Sequence, residues 1–164
     1  MSARILIAVS TSRYSQHLVG HAAHEADALR AAGEDVTIDV LYVRESQDLA
    51  EVGESISGEG FLGLSPQKDI LETLAAERHR MATRRIEELR ALAEARGYPL
   101  TVTETEGRFV DVVLAHAETH RCDIILITRD DRPFISRLLF GSDADRVARM
   151  ARKGGLGQVL IKDD

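Results

Sequence analysis

Apolar residues along the chain fall into two rhythms that alternate from end to end. Four short segments are near-continuous runs of Val, Ile and Leu: RILIAV (Arg4–Val9), VTIDVLYV (Val36–Val43), DIILI (Asp123–Ile127) and QVLI (Gln158–Ile161). Runs of this length predict parallel strands buried on both faces. A fifth segment, PLTVTETE (Pro99–Glu106), alternates apolar residues with Thr and Glu, so it is expected at a sheet edge with one face in water.

Between these segments the spacing changes to about 3.6. Tyr14–Ala32 places Leu18, Val19, Ala22, Ala26 and Leu29 on one face and is closed by Gly33. Ile70–Arg96 carries a longer stripe, from Leu71 and Leu74 through Ile86 and Leu89 to Ala93, before Gly97. Val110–His120 and Asp143–Arg152 supply two shorter helices. Strict alternation of strands and helices predicts one α/β domain over residues 1–164, a parallel sheet with helices on both faces. Ligands of such sheets bind beyond the carboxyl ends of the strands, where strand order reverses. The first and fourth strands are expected at the centre, ending at Ser10-Thr11-Ser12 and at Thr128–Asp131. Residues 44–69 form a long polar connection, read as a lid over the strand ends or as a surface loop.

A chain of 164 residues is long enough for one core. Its net charge of −6 opposes a phosphate-tracking surface, so nucleic acid is not an expected partner. No apolar run approaches the roughly 20 residues of a membrane span, and MSARILIAVS lacks the apolar stretch of a signal peptide. A cytoplasmic protein without a membrane partner is expected. The lone cysteine, Cys122, reads as a buried structural thiol.

Motifs for chemistry are sparse. Gly58, Gly60 and Gly63 spell GxGxxG, but they follow the second strand by about 15 residues instead of opening a helix, as a dinucleotide fingerprint requires. Acidic residues between Glu45 and Glu54 would also repel phosphate. His17, His21 and His24 recur at helical spacing and read as a solvated face turned away from the Leu18 stripe. His116 and His120 share the i, i+4 geometry without HExxH, and only adventitious nickel or zinc binding is expected there; no metal site is assigned. There is no GxSxG elbow and no ordered nucleophile and base, so catalysis is not expected. Asp130 and Asp131 read as loop acids. Gly141-Ser142, with Arg137 upstream, suits an N-cap or an anion at a helix start.

The sequence resembles the universal stress protein family, first in ILIAVSTSRYSQHLVGHAA and most sharply in DIILITRDDRPFISRLLFGSDADRVAR. The resemblance covers nearly all of the chain except the variable loop at 44–69. It implies a single-domain flavodoxin-like (adenine nucleotide alpha hydrolase-like) three-layer sandwich with sheet order 3-2-1-4-5. It also implies, commonly, a homodimer built through the last strand, here through Val159, Leu160 and Ile161.

ATP-binding members resemble one another in a G-x-x-G, nine residues, G-Ser/Thr pattern and in an aspartate ending the first strand. Here the first two glycines fall on Thr128 and Asp131, the aspartate falls on Ser10, and Gly141 with Ser142 is kept. Thr128 and Asp131 add bulk where backbone should approach phosphate. A unit charge of like sign at ~4 Å repels by about 4 kcal/mol at an effective dielectric of 20, a penalty Arg132 and Arg137 would offset only if turned inward. The expected function is a dimeric stress-response or interaction module without strong ATP binding, needing no cofactor. The alternatives are an ATP- or AMP-binding switch using a remodelled loop with magnesium, and a nucleotide hydrolase using Asp130 or Asp131.

Overall fold

The structure is a computed structural model that describes residues 1–11, 13, 15–45, 64–128 and 143–162, with backbone alone at 64–68 and 71. Its elements are β1 (Ser2–Ser10), α1 (Leu18–Ala31), β2 (Asp35–Arg44), α2 (Leu64–Arg96), β3 (Leu100–Glu106), α3 (Phe109–His120), β4 (Ile124–Thr128), α4 (Asp143–Lys153) and β5 (Gln158–Lys162). The five strands form one sheet of order β3-β2-β1-β4-β5, and every neighbouring pair is parallel. The alternation of strands and helices predicts the parallel sheet, and the order is the flavodoxin-like one that the family resemblance implies. The Gly58-Gly60-Gly63 run and most of the 44–69 connection lie outside the described residues. Among the described residues no helix is long and apolar enough to cross a membrane.

Side chains of successive strand residues point to opposite faces, so each central strand feeds two cores. Ile5, Ile7, Val9, Ile38, Val40 and Leu126 pack with Leu18, Ala22 and Ala26 of α1 and Ala82, Ile86, Leu89 and Ala93 of α2. On the other face Leu6, Ala8, Leu41, Val43, Ile125 and Ile127 pack with Phe109, Val113 and Ala117 of α3 and Ala144, Val147 and Ala151 of α4. β3 is an edge strand, as its alternation predicts, and only Leu100, Val102 and Thr105 among its residues are even partly buried. Cys122 is buried beneath this second core. Burial, with the Asp39 carboxylate adding to it, pushes its thiol up to about 11, so it stays protonated as a structural group.

Two helix starts differ from the sequence expectation. α1 begins at Leu18 instead of Tyr14 because Ser15 intervenes: its Oγ accepts the His17 N–H at 3.1 Å and its carbonyl accepts the Leu18 N–H at 3.2 Å. Local hydroxyl bonds of this kind compete with helix and delay its start. α2 begins at Leu64, six residues before Ile70, with Pro66 in the first turn, where the N–H it lacks is not required. At the other end of the fold, a side chain at Gly157 would collide with the Cys122 and Asp123 carbonyls, so glycine lets the chain entering β5 pass close to the start of β4.

A polar clamp joins α1 to the end of α2. The Tyr98 hydroxyl donates to Asp27 Oδ1 at 2.6 Å, Arg96 pairs with Asp27 Oδ2, and the Arg30 guanidinium lies 3.7 Å over the Tyr98 ring. The Tyr98 hydrogen bond, then the Arg96 contact, hold the Asp27 carboxyl below its ordinary 3.8. A depressed folded-state value means that this contribution is complete above the unfolded value and is lost as pH falls through the folded one. Thermal unfolding of wild type and Asp27→Asn between pH 6 and pH 2.5 should therefore converge towards the acid end, the variant being less stable near neutrality and less sensitive to acid.

Candidate functional site

The carboxyl ends of β1 and β4 meet at the point where strand order reverses, and the sequence builds a charged cluster there. β1 runs into a tight turn in which the Ser10 and Arg13 backbones exchange two hydrogen bonds, each 3.2 Å. The turn folds Arg13 back over the end of its own strand, where its side chain is only 1% exposed. Nη1 donates to Ser10 Oγ at 3.2 Å and to Glu45 Oε2 at 2.8 Å, and Nη2 donates to Asp143 Oδ2 at 2.7 Å. The guanidinium carbon stands 4.1 Å from the centre of the Phe109 ring. One side chain thus ties together the segment after β1, the residue after β2, the first residue of α3 and the first residue of α4.

The planar guanidinium suits this task because its nitrogens diverge towards separate acceptors. Arg13 pairs with two carboxylates among the described residues, the Glu45 side chain being 8% and the Asp143 side chain 23% exposed. Asp143 is also well placed electrostatically, since the amino end of α4 favours negative charge. Thr128 closes β4 beside the cluster at 1% exposure, and its hydroxyl oxygen is buried with no hydrogen-bond partner among the described residues. Chemically the cluster is an anion-neutralising structural knot: its carboxylates are engaged by Arg13, and no nucleophile and base stand paired within it among the described residues.

The sequence model of the Universal stress protein family matches residues 1–153. The chain belongs to the universal stress protein family. Solved structures of similar fold include a universal stress protein in complex with cAMP (13% identity, TM-score 0.58, 99% of this chain and 97% of that one covered). An Arabidopsis thaliana family protein with AMP bound is similar at 12% identity and TM-score 0.54, over 98% of this chain and 91% of that one. A universal stress protein from Archaeoglobus fulgidus is similar at 18% identity and TM-score 0.52, over 98% of this chain and 93% of that one. No curated protein matches the sequence.

Among the residues singled out in this universal stress protein, Ser10 and Thr128 are brought together at the carboxyl end of the sheet, both buried. Asp131, Arg132, Arg137, Gly141 and Ser142 lie outside the described residues, as does Asp130. Val159, Leu160 and Ile161 lie in β5, partly buried, where Leu160 packs on the α1–α2 core and Val159 and Ile161 on the α3–α4 core. Of the first helix's histidines, His17 and His24 are solvated as expected. His21 departs from that expectation: it is half-buried, and its Nε2 is buried with no hydrogen-bond partner among the described residues.

Arg13 and Glu45 are the central residues that the sequence reading passed over. The available signal was a lone arginine three positions after Ser10, next to a crevice rich in acids.

Removing one member of a buried charge group leaves the others uncompensated, at a cost of about 3–5 kcal/mol. For a domain of this size each kcal/mol lowers Tm by about 2–4 °C. Arg13→Met should lower Tm by roughly 6–20 °C, and Arg13→Lys should recover only part of it, because one ammonium cannot reproduce the forked guanidinium geometry. Differential scanning calorimetry of the three proteins checks both.

Proposed function

We propose that this universal stress protein is a cytoplasmic, dimeric stress-response or interaction module that does not bind ATP strongly and carries no catalysis. The observation that supports this reading is the Arg13 knot. The guanidinium at the switch point is already engaged by Glu45 and Asp143, so a polyphosphate arriving there would compete with two carboxylates for it. Seating it would require breaking short buried ion pairs. Thr128 and Asp131, at the positions that the resemblance gives to glycines, act in the same direction, by bulk and, for Asp131, by charge.

A second reading is a nucleotide-binding switch, favoured by the cAMP and AMP complexes among the similar structures. In it Arg13 would exchange a carboxylate for a phosphate, with magnesium bridging the remaining acids. Hydrolysis would rest on Asp130 or Asp131 and has no support from the geometry of the described residues. Isothermal titration of ATP with magnesium, AMP and cAMP into protein checked for co-purified nucleotide separates the two binding readings. Silence at millimolar nucleotide is the expected result; micromolar binding or retained nucleotide would replace the module reading with the switch.

The dimer is proposed to form through β5. Among the described residues β5 pairs with β4 alone, and an edge strand presents backbone donors and acceptors to a partner. The Gln158 N–H points to β4, donating to the Asp123 carbonyl at 2.9 Å, so by the two-residue period the Val159 and Ile161 N–H groups point outward. Proline is tolerated on an edge when its missing N–H faces away from the sheet. Ile161→Pro should shift the sedimentation mass from two chains to one while leaving the circular dichroism unchanged; a dimer that persists would place the interface elsewhere.

A further inference from the structure

Away from the Arg13 knot, towards the amino end of the sheet, polar side chains enter the α3-covered face. Asp39 lies on β2 beside Leu6 of β1, on the same face as Leu41, with its side chain 8% exposed. The last turn of α3 is laid across this position, so His116 is held above Asp39 with its side chain 10% exposed, and His120 follows one turn later at the solvent edge.

The three residues are close but poorly satisfied by one another. His116 Nε2 stands 3.5 Å from Asp39 Oδ2 and, although buried, has no hydrogen-bond partner among the described residues. The His116 and His120 rings lie 4.2 Å apart, centre to centre. One ligand atom from each of Asp39, His116 and His120 falls within 4.8 Å of the others, the one such group among the described residues. Arg4 reaches into the same space: its Nη1 is 3.7 Å from Asp39 Oδ2 and 3.4 Å from His120 Nδ1. A buried carboxylate and a buried imidazole nitrogen are therefore held at distances too long for good hydrogen bonds, with a cation beside them.

We propose that Asp39, His116 and His120 bind one divalent transition-metal ion of the zinc class, with Arg4 as the competing cation. Two imidazoles and one carboxylate form the donor set of an open zinc site, leaving the fourth position to water. Metal bonds of about 2.0–2.1 Å in a tetrahedron put ligand atoms roughly 3.3 Å apart, close to the 3.5 Å already present between His116 and Asp39. The i, i+4 spacing supplies the two imidazoles from one helix face. Arg4 is 38% exposed, so its guanidinium can withdraw to water while its backbone N–H keeps its 2.8 Å bond to Asp123 Oδ2. A bound ion would pin the end of α3 to β2 more firmly than the loose contacts it replaces.

The test uses untagged, chelator-treated full chain titrated with Zn2+ alone at pH 7.5, with thermal melts in parallel. One Zn2+ per chain and a raised Tm are expected. His120→Ala, an exposed position that should not disturb folding, should weaken binding about tenfold or more, the scale seen when even supporting groups of a metal site are lost. Arg4→Met should tighten it by about tenfold, since a like charge near the ion is removed. The proposal is overturned if His120→Ala leaves the wild-type isotherm unchanged, or if binding disappears instead on replacing His17 and His24. It is equally overturned if wild type binds nothing, including the case in which only Arg4→Met binds. Tetrahedral Co2+ absorption that His120→Ala abolishes would independently support the ligand set.

Discussion

A guanidinium removed from water must find compensating charge within hydrogen-bond reach, and in this protein that demand organises the whole carboxyl end of the sheet. Arg13 is buried where Glu45 and Asp143 come to it, brought by segments that follow β2 and open α4. Its flat face rests on Phe109, which fixes where α3 starts. Four chain segments that could otherwise take separate paths are drawn to one point. Among the described residues, the protein's own side chains meet at the point between β1 and β4 where a parallel sheet leaves a crevice.

The layers beneath were legible in the sequence because their information is local. Runs such as ILIAV and DIILI can be buried on both sides only in the middle of a parallel sheet, and the polar half of LTVTETE can belong only to an edge. Helix starts were less legible. Tyr14–His17 continues the amphipathic spacing of α1, but the Ser15 hydroxyl takes a backbone donor that the helix would have used. The stripe of α2 was visible from Ile70 onward, while the turn before it carries too little periodic signal to distinguish it from the polar connection.

The site was harder to read because its information is non-local. Arg13 meets Glu45 across 32 positions and Asp143 across 130, and no spacing rule links residues that only the sheet order makes neighbours. The same holds at the amino end. His116 and His120 announce each other through helical periodicity, yet Asp39 joins them only because β2 lies beneath α3. Asp39 interrupts a strand of Val, Leu and Tyr, and its meaning lies on the element above it.

α3 is twelve residues long, a rod whose ends are separated by roughly 16 Å at the usual helical rise. Phe109 at one end touches the Arg13 knot, and His116 and His120 at the other approach Asp39. Val113 and Ala117 between its ends are buried in the second core, so both ends belong to one packed element. Thermodynamic linkage then imposes a symmetry on the molecule. Whatever free energy an event at the Phe109 end exerts on the histidine end through this helix, an event at the histidine end must exert on the Phe109 end in equal measure.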